Sequence, residues 1–211
     1  MLKKARIAVL VSGGGTNLQA LIDACASGVI KSGEIAAVIS SKEGAYALRR
    51  AEKAGIPTAA VDRRSFSGRA DFEKALAACI DGAGAQLIIL AGFMCILSEE
   101  FTRRYDGRII NVHPSLIPSF CGEGFYGLHV HEKALEYGVK LSGATVHFVS
   151  EECDGGPIIL QKAVPVEQGD TPETLQRRIM EQAEWKILPQ AVSLFCAGKL
   201  SVNGSIVTIK E

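Results

Sequence analysis

Between residues 6 and 112 the chain repeats one pattern, a short run that is apolar throughout followed by an amphipathic stretch. The apolar runs cover residues 6–11, 34–40, 58–61, 87–91 and 108–112. Between the first four lie helix-like stretches at 16–27, 43–54 and 69–81, and a shorter one at 98–105 precedes the fifth. Gly28, Gly55, Gly82 and Gly107 stand where these stretches stop, as expected of helix ends. A strand that is apolar on every residue is covered on both faces, and strands separated by helices run parallel. The expected fold is α/β, a doubly wound, mostly parallel sheet with helices on both faces. Ligands of such a sheet sit at the carboxyl ends of its strands.

After Val112 the texture changes. Residues 113–128 are rich in proline and glycine, which reads as a long functional loop. A helix is expected near 130–137, then two β-rich runs at 144–150 and 157–166. Pro172 opens a long helix reaching about residue 197, with a bend expected near Pro189. Asn203-Gly204 between apolar runs predicts a terminal hairpin. No repeat or linker divides the chain. It reads as a single domain, with residues 1–112 as a phosphate-binding half and 113–211 as the half carrying antiparallel strands and the long helix.

Several function classes are excluded on charge and length. The 211 residues carry 23 basic and 23 acidic side chains, a balance that disfavours a general nucleic-acid or membrane-surface binder. The longest apolar run, 87–97, is shorter than the roughly 20 residues that cross a bilayer. Lys3, Lys4 and Arg6 before an apolar run imitate a signal peptide, but no small-x-small cleavage pattern follows. The six cysteines (25, 79, 95, 121, 153 and 196) form no C-x-x-C pair and read as free thiols. A soluble cytoplasmic protein is expected.

Three stretches carry chemistry. Ser12-Gly-Gly-Gly-Thr-Asn17, between the first strand and the first helix, can turn backbone N–H groups toward an anion at a helix N-terminus. It can also be a tight turn capped by Thr16 or Asn17. A dinucleotide is disfavoured, because Leu18 replaces the third glycine of G-x-G-x-x-G and the second strand ends in Ser40-Ser41-Lys42 without a ribose-binding acid. In Asn111-Val-His113, residues two apart on a strand share a face, so an amide and an imidazole can face one cleft. Asp154-Gly155-Gly156-Pro157 is a turn whose carboxylate, if brought beside His113, raises the imidazole pKa. His129 and His131 lack a further ligand and read as helix-entry polar residues, so no metal is expected. His147 in T-V-H-F-V reads as a core or sheet histidine.

In this order and size, S-G-G-G-T-N-L-Q-A, L-A-G-F-M-C-I-L-S, N-V-H-P-S-L-I-P and H-F-V-x-x-x-x-D-G-G-P-I-I resemble the folate-dependent formyltransferase family, the glycinamide ribonucleotide formyltransferases in particular. The resemblance implies a Rossmann-like fold and two small-molecule substrates, 10-formyltetrahydrofolate and glycinamide ribonucleotide, with no nucleic acid or membrane partner. It implies a monomer or homodimer. Asn111, His113 and Asp154 match the catalytic trio. Gly15, Thr16 and Asn17 match the phosphoribosyl site, and Glu181, Gln182, Ala183 and Glu184 match the segment near the glycinamide. The folate is implied against Met94, Cys95, Ile96 and Leu97, against Ser150, Glu151, Glu152, Cys153 and Asp154, and near Arg69 and Asn111. Two positions depart from the family. Cys95 stands where F-M-R-I-L has arginine, and the loop 119–128 is longer and more aromatic.

The implied reaction is attack of the ribonucleotide amine on the formyl carbon. Asn111 and protonated His113 stabilise the tetrahedral intermediate, and Asp154 keeps the imidazole charged. The alternatives are another 10-formyltetrahydrofolate enzyme, a hydrolase or a different formyltransferase, and a non-catalytic nucleotide-binding protein.

Overall fold

The computed structural model describes residues 4–210; Lys3 of the basic start lies outside them. Strands β1 (Ala5–Val11), β2 (Gly33–Ser40), β3 (Thr58–Ala60), β4 (Leu87–Leu90) and β5 (Ile109–His113) alternate with helices α1 (Thr16–Ala26), α2 (Tyr46–Lys53), α3 (Arg69–Gly82) and α4 (Glu99–Arg104). The five strands are parallel in the order 3-2-1-4-5. The stretch expected as helix from residue 43 becomes helical only at Tyr46, because Gly44 takes φ +71° in the preceding turn.

Helix α5 (Leu128–Tyr137) leads into β6 (Leu141–Phe148), antiparallel to β5, and then β7 (Ile158–Pro165), antiparallel to β6. The hairpin β8 (Leu200–Asn203) and β9 (Ile206–Ile209) turns at Gly204, as expected, and joins β7 through one residue pair, Ile158 with Ile206. The long helix departs from expectation. It is two helices, α6 (Pro172–Ile179) and α7 (Trp185–Cys196), joined by a π-helical turn over Met180–Glu184. The irregularity lies before Pro189, which sits inside α7 with Trp185, the first residue of that helix, four positions earlier. The wider turn buries Ala183 and Glu184 together, although they are adjacent in sequence.

Alternation along the apolar strands fills two core layers. Ile7, Val9 and Val11 of β1 pack under α1, α2, α6 and α7, whereas Ala8 and Leu10 pack under α3 and α4. Burying each such large side chain contributes about 1.5–3 kcal/mol. This two-sided burial is why these strands show no polar alternation. On β6, Ala144, Val146 and Phe148 belong to the first layer, so Thr145 and His147 face the other way. The carboxyl ends of β1, β2, β4 and β5 open onto the same edge of the sheet, with the reversal of strand order falling between β1 and β4.

Candidate active site

The glycine loop follows β1. Gly15 is the N-cap of α1 with φ +72°, and no side chain caps the helix, so the turn that Thr16 or Asn17 was able to close remains open. Two loop carbonyls are tied to α2: Gly13 O accepts from Ala47 N at 3.0 Å and Gly14 O from Arg50 Nε at 2.8 Å. A Cβ on Gly15 would lie 2.6 Å from Ala47 Cβ, so only glycine allows this approach. With its carbonyls engaged and its first-turn N–H groups uncapped, the loop presents donors to an anion.

The second group is built by strand register. Asn111 pairs with His147 and His113 with Thr145 across β5 and β6, which places both side chains of each pair on one face. Asn111 Nδ2 donates to His147 Nε2 at 3.2 Å, and His147 Nδ1 donates to Phe148 O at 2.8 Å. Thr145 Oγ1 donates to Ser115 O at 2.7 Å and accepts from Ile117 N at 3.1 Å, which holds the chain leaving β5 against β6.

Asp154 closes the group from the turn after β6. Its backbone is left-handed at φ +57°, and Gly156 lets the turn hug the strand, since a Cβ there would lie 1.9 Å from Phe148 O. The carboxylate lies 3.5 Å from His113 Nδ1 through Oδ2 and 3.6 Å from His147 Nε2 through Oδ1. Asp154 Oδ2 also accepts from Gly122 N at 2.9 Å. All three side chains are at most 9% exposed. Burial alone would raise the pKa of Asp154, but the two histidines and the Gly122 N–H outweigh it, and the carboxyl titrates below its ordinary range.

The expected effect on His113 is corrected in its net sign. Asp154 and the Phe120 carbonyl pull its pKa upward, but burial acts more strongly and leaves it below the ordinary histidine value. Burial thus favours the neutral ring, and Asp154 favours the charged one. Its Nε2 hydrogen is donated to Phe120 O at 2.9 Å, so Nδ1 is the atom that takes up the second proton, facing Asp154.

The segment after β4 forms a wall beside the cleft. Met94 and Ile96 are exposed at 53% and 59%, an apolar surface at a strand end. Cys95 points differently: with Phe93 and Leu97 it packs against the core under α3 and α4. An alternating segment sends neighbouring side chains to opposite sides, so the side chain at 95 is turned from the surface that Met94 and Ile96 form. Arg69, the first residue of α3, is exposed. In the 150–154 turn, Ser150 Oγ donates to Glu152 O, and Glu151 pairs with Arg103 of α4 at 2.5 Å. The Cys153 thiol lies 3.9 Å from Asp154 Oδ2.

Of the four expected site residues in the π turn, 181–184, Glu184 reaches the glycine loop. Asn17 Nδ2 donates to its Oε2 at 2.6 Å, and burial pushes the carboxyl pKa up to about 7. Asn17 Oδ1 is buried without a partner. Ala183 packs in the core, and Glu181 and Gln182 are exposed. The loop 119–128 rests on α5, with Phe120 stacked edge-on against Phe125 and Tyr137. Two buried histidines were underread from sequence. His147, expected as a core residue, contacts both Asn111 and Asp154, and its alternation with Thr145 opposite Asn111 and His113 is the signal that would have found it. His131 is fully buried with neither ring nitrogen partnered, and burial pushes its pKa down to about 4.

A parallel half-sheet, an uncapped glycine turn and an Asn-His-Asp group from β5 and the turn after β6 make up the candidate site. The family model for formyl transferase matches residues 5–192, and the chain belongs to that family. Among its relatives, the phosphoribosylglycinamide formyltransferase of Haemophilus influenzae is 44% identical over 201 residues, 95% of this chain and 92% of that protein. The human trifunctional purine biosynthetic protein adenosine-3 is 46% identical over 211 residues, 99% of this chain but 20% of the relative. The chain thus spans about a fifth of the length of such trifunctional relatives. The crystal structure of glycinamide ribonucleotide transformylase 1 from Symbiobacterium toebii superposes with a TM-score of 0.93 at 44% identity, covering 100% of this chain and 96% of that one.

Proposed function

We propose that this protein transfers the formyl group of 10-formyltetrahydrofolate to the primary amine of glycinamide ribonucleotide, in the cytoplasm and as a step of purine biosynthesis. The observation that carries this reading is the grouping of Asn111, His113 and Asp154 around His147 at the sheet edge where the uncapped glycine loop also lies. Likeness to phosphoribosylglycinamide formyltransferases over nearly the whole chain supports it. Both substrates meet residues of one chain, so a monomer and a homodimer serve equally.

The ribonucleotide phosphate binds the N–H groups at Gly15, Thr16 and Asn17, with Glu184 behind Asn17. This holds the amine where it can attack. The folate lies against Met94 and Ile96, with its formyl group toward Asn111. Attack on the formyl carbon gives a tetrahedral intermediate with a developing oxyanion. One Asn111 amide hydrogen is engaged by His147, and the other is available to the oxyanion. The His113 Nε2 hydrogen, donated to the Phe120 carbonyl in the free protein, passes to the formyl oxygen as a second donor of the same kind. Negative charge arriving beside the ring opposes the burial effect, and the Asp154 carboxylate balances the charge of a second proton at Nδ1. Once the ring is charged, Nε2 gives its hydrogen to N10 of the departing folate and regains one from the attacking amine, while the Nδ1 hydrogen stays with Asp154.

The test mixes protein, 10-formyltetrahydrofolate and glycinamide ribonucleotide and follows deformylated folate by absorbance. Turnover that requires the ribonucleotide is expected. Equal turnover without it would make the protein a hydrolase, and binding without turnover would make it a nucleotide-binding protein.

A further inference from the structure

One hydroxyl joins the glycine loop to the apolar wall. Ser12, the first residue after β1, accepts at Oγ from Met94 N at 2.9 Å and lies 2.6 Å from Ser41 Oγ. Ser41 is buried at the end of β2 and held on both sides, its N–H donating to Val11 O at 3.0 Å and its carbonyl accepting from Arg63 N at 2.9 Å. The hydroxyl of Ser12 thus shares a hydrogen bond with a sheet-anchored serine while it accepts from Met94 N. The other end of the wall is held separately, where Ser98 donates through N at 2.7 Å and through Oγ to the buried Glu73 of α3. Residues 94–97 are suspended between these two points, and one of them, Ser12, belongs to the loop that opens α1.

We propose that Ser12 is a positioning residue that couples the two substrate subsites. The inference rests on the function proposed above and adds to it a connection between the sites. A phosphate held by the N–H groups of residues 15–17 restrains the loop, the restrained Ser12 hydroxyl restrains Met94 N–H, and the folate then meets a wall already ordered. A ligand that orders a shared element lowers the ordering cost for a second one, and such coupling is reciprocal. Ser12 touches neither substrate in this arrangement.

Amide exchange followed by NMR tests this without folate and without turnover. Glycinamide ribonucleotide added to the wild-type protein should slow exchange several-fold at Thr16 and Asn17 and also at Met94. In Ser12→Ala the loop amides should still slow and Met94 should not; Ser12→Thr, which keeps the hydroxyl, should restore the Met94 response. In titration calorimetry the ribonucleotide should tighten binding of a non-transferable formyl-folate analogue several-fold in wild type and in Ser12→Thr, and not in Ser12→Ala. Slow loop amides with an unresponsive Met94 in wild type would overturn the coupling and leave the phosphate site standing. An equal Met94 response in Ser12→Ala would also overturn it. If neither the loop nor Met94 responds in wild type, the phosphate site itself is wrong and the coupling falls with it.

Discussion

Asn111 gives one amide hydrogen to His147, and His147 is able to accept it because its other ring nitrogen donates to the Phe148 carbonyl. That carbonyl sets the tautomer, the tautomer sets which atom of Asn111 faces the ring, and the second Nδ2 hydrogen is left pointing elsewhere. His147→Phe keeps the ring volume and removes the acceptor. A hydrogen bond of this kind contributes about 1 kcal/mol, so kcat should fall roughly fivefold while KM for the ribonucleotide stays near wild type. A proportional loss of ribonucleotide binding would show that His147 does not act through Asn111.

Asn111→Ala and His113→Ala each delete a donor aimed at the developing oxyanion. Each should lower kcat by about 10²–10³, with thermal midpoints and ribonucleotide binding close to wild type. Steady-state kinetics on both variants decides the matter, and near-normal turnover in either one excludes that residue from the chemistry.

Asp154→Asn removes the negative charge 3.5 Å from His113 Nδ1. The pKa of His113 is already below its ordinary value through burial, and Asp154 is the main influence opposing that. The variant should therefore titrate lower still, by NMR of the His113 ring. A rise would mean that the carboxylate does not stabilise the charged ring.

Two buried groups act on stability with opposite signs. His131 has a folded pKa of about 4, below its unfolded value near 6.5, so the unfolded chain binds the extra proton between them. Its neutral burial is fully tolerated above 6.5, and stability is lost as pH falls toward 4. Glu184 has a folded pKa of about 7, above its unfolded value near 4.5, so its contribution is complete below 4.5 and is lost as pH rises through 7. The two slopes oppose each other between about pH 4.5 and 6.5. Denaturant titrations across that range should show stability rising with pH in Glu184→Gln and falling with pH in His131→Leu. The same slope in both variants would show that neither group carries the effect.

What was legible in the sequence follows from what leaves a local trace. Two-sided burial leaves unbroken apolar runs, and glycines mark helix ends, so the parallel half could be read almost strand by strand. Asn111 and His113 were visible because period-two spacing places both on one face. His147 was not, because its role depends on a register between β5 and β6 that single-strand patterns do not encode. The net sign at His113 was missed for a related reason: a charged neighbour can be inferred from a motif, but the extent of burial depends on loops arriving from elsewhere. At Cys95 the backbone alternation over 94–97 decides which way the side chain turns, and a motif position does not encode that.

The contact between Asn17 and Glu184 spans 167 positions, and this sets when the site can first exist. A ribosome makes the glycine loop before the π turn, and β1, β2 and α1 can assemble around the loop while that turn is still unmade. Contacts this distant form late and slow the approach to the native state. Until α6 and α7 dock, Asn17 has no Glu184 to meet and the ribonucleotide pocket has no back wall. On the proposed function, affinity for the ribonucleotide is thus a property that the nascent chain acquires only after the π turn has been made, and a chain stalled before residue 184 should carry the phosphate loop without the pocket.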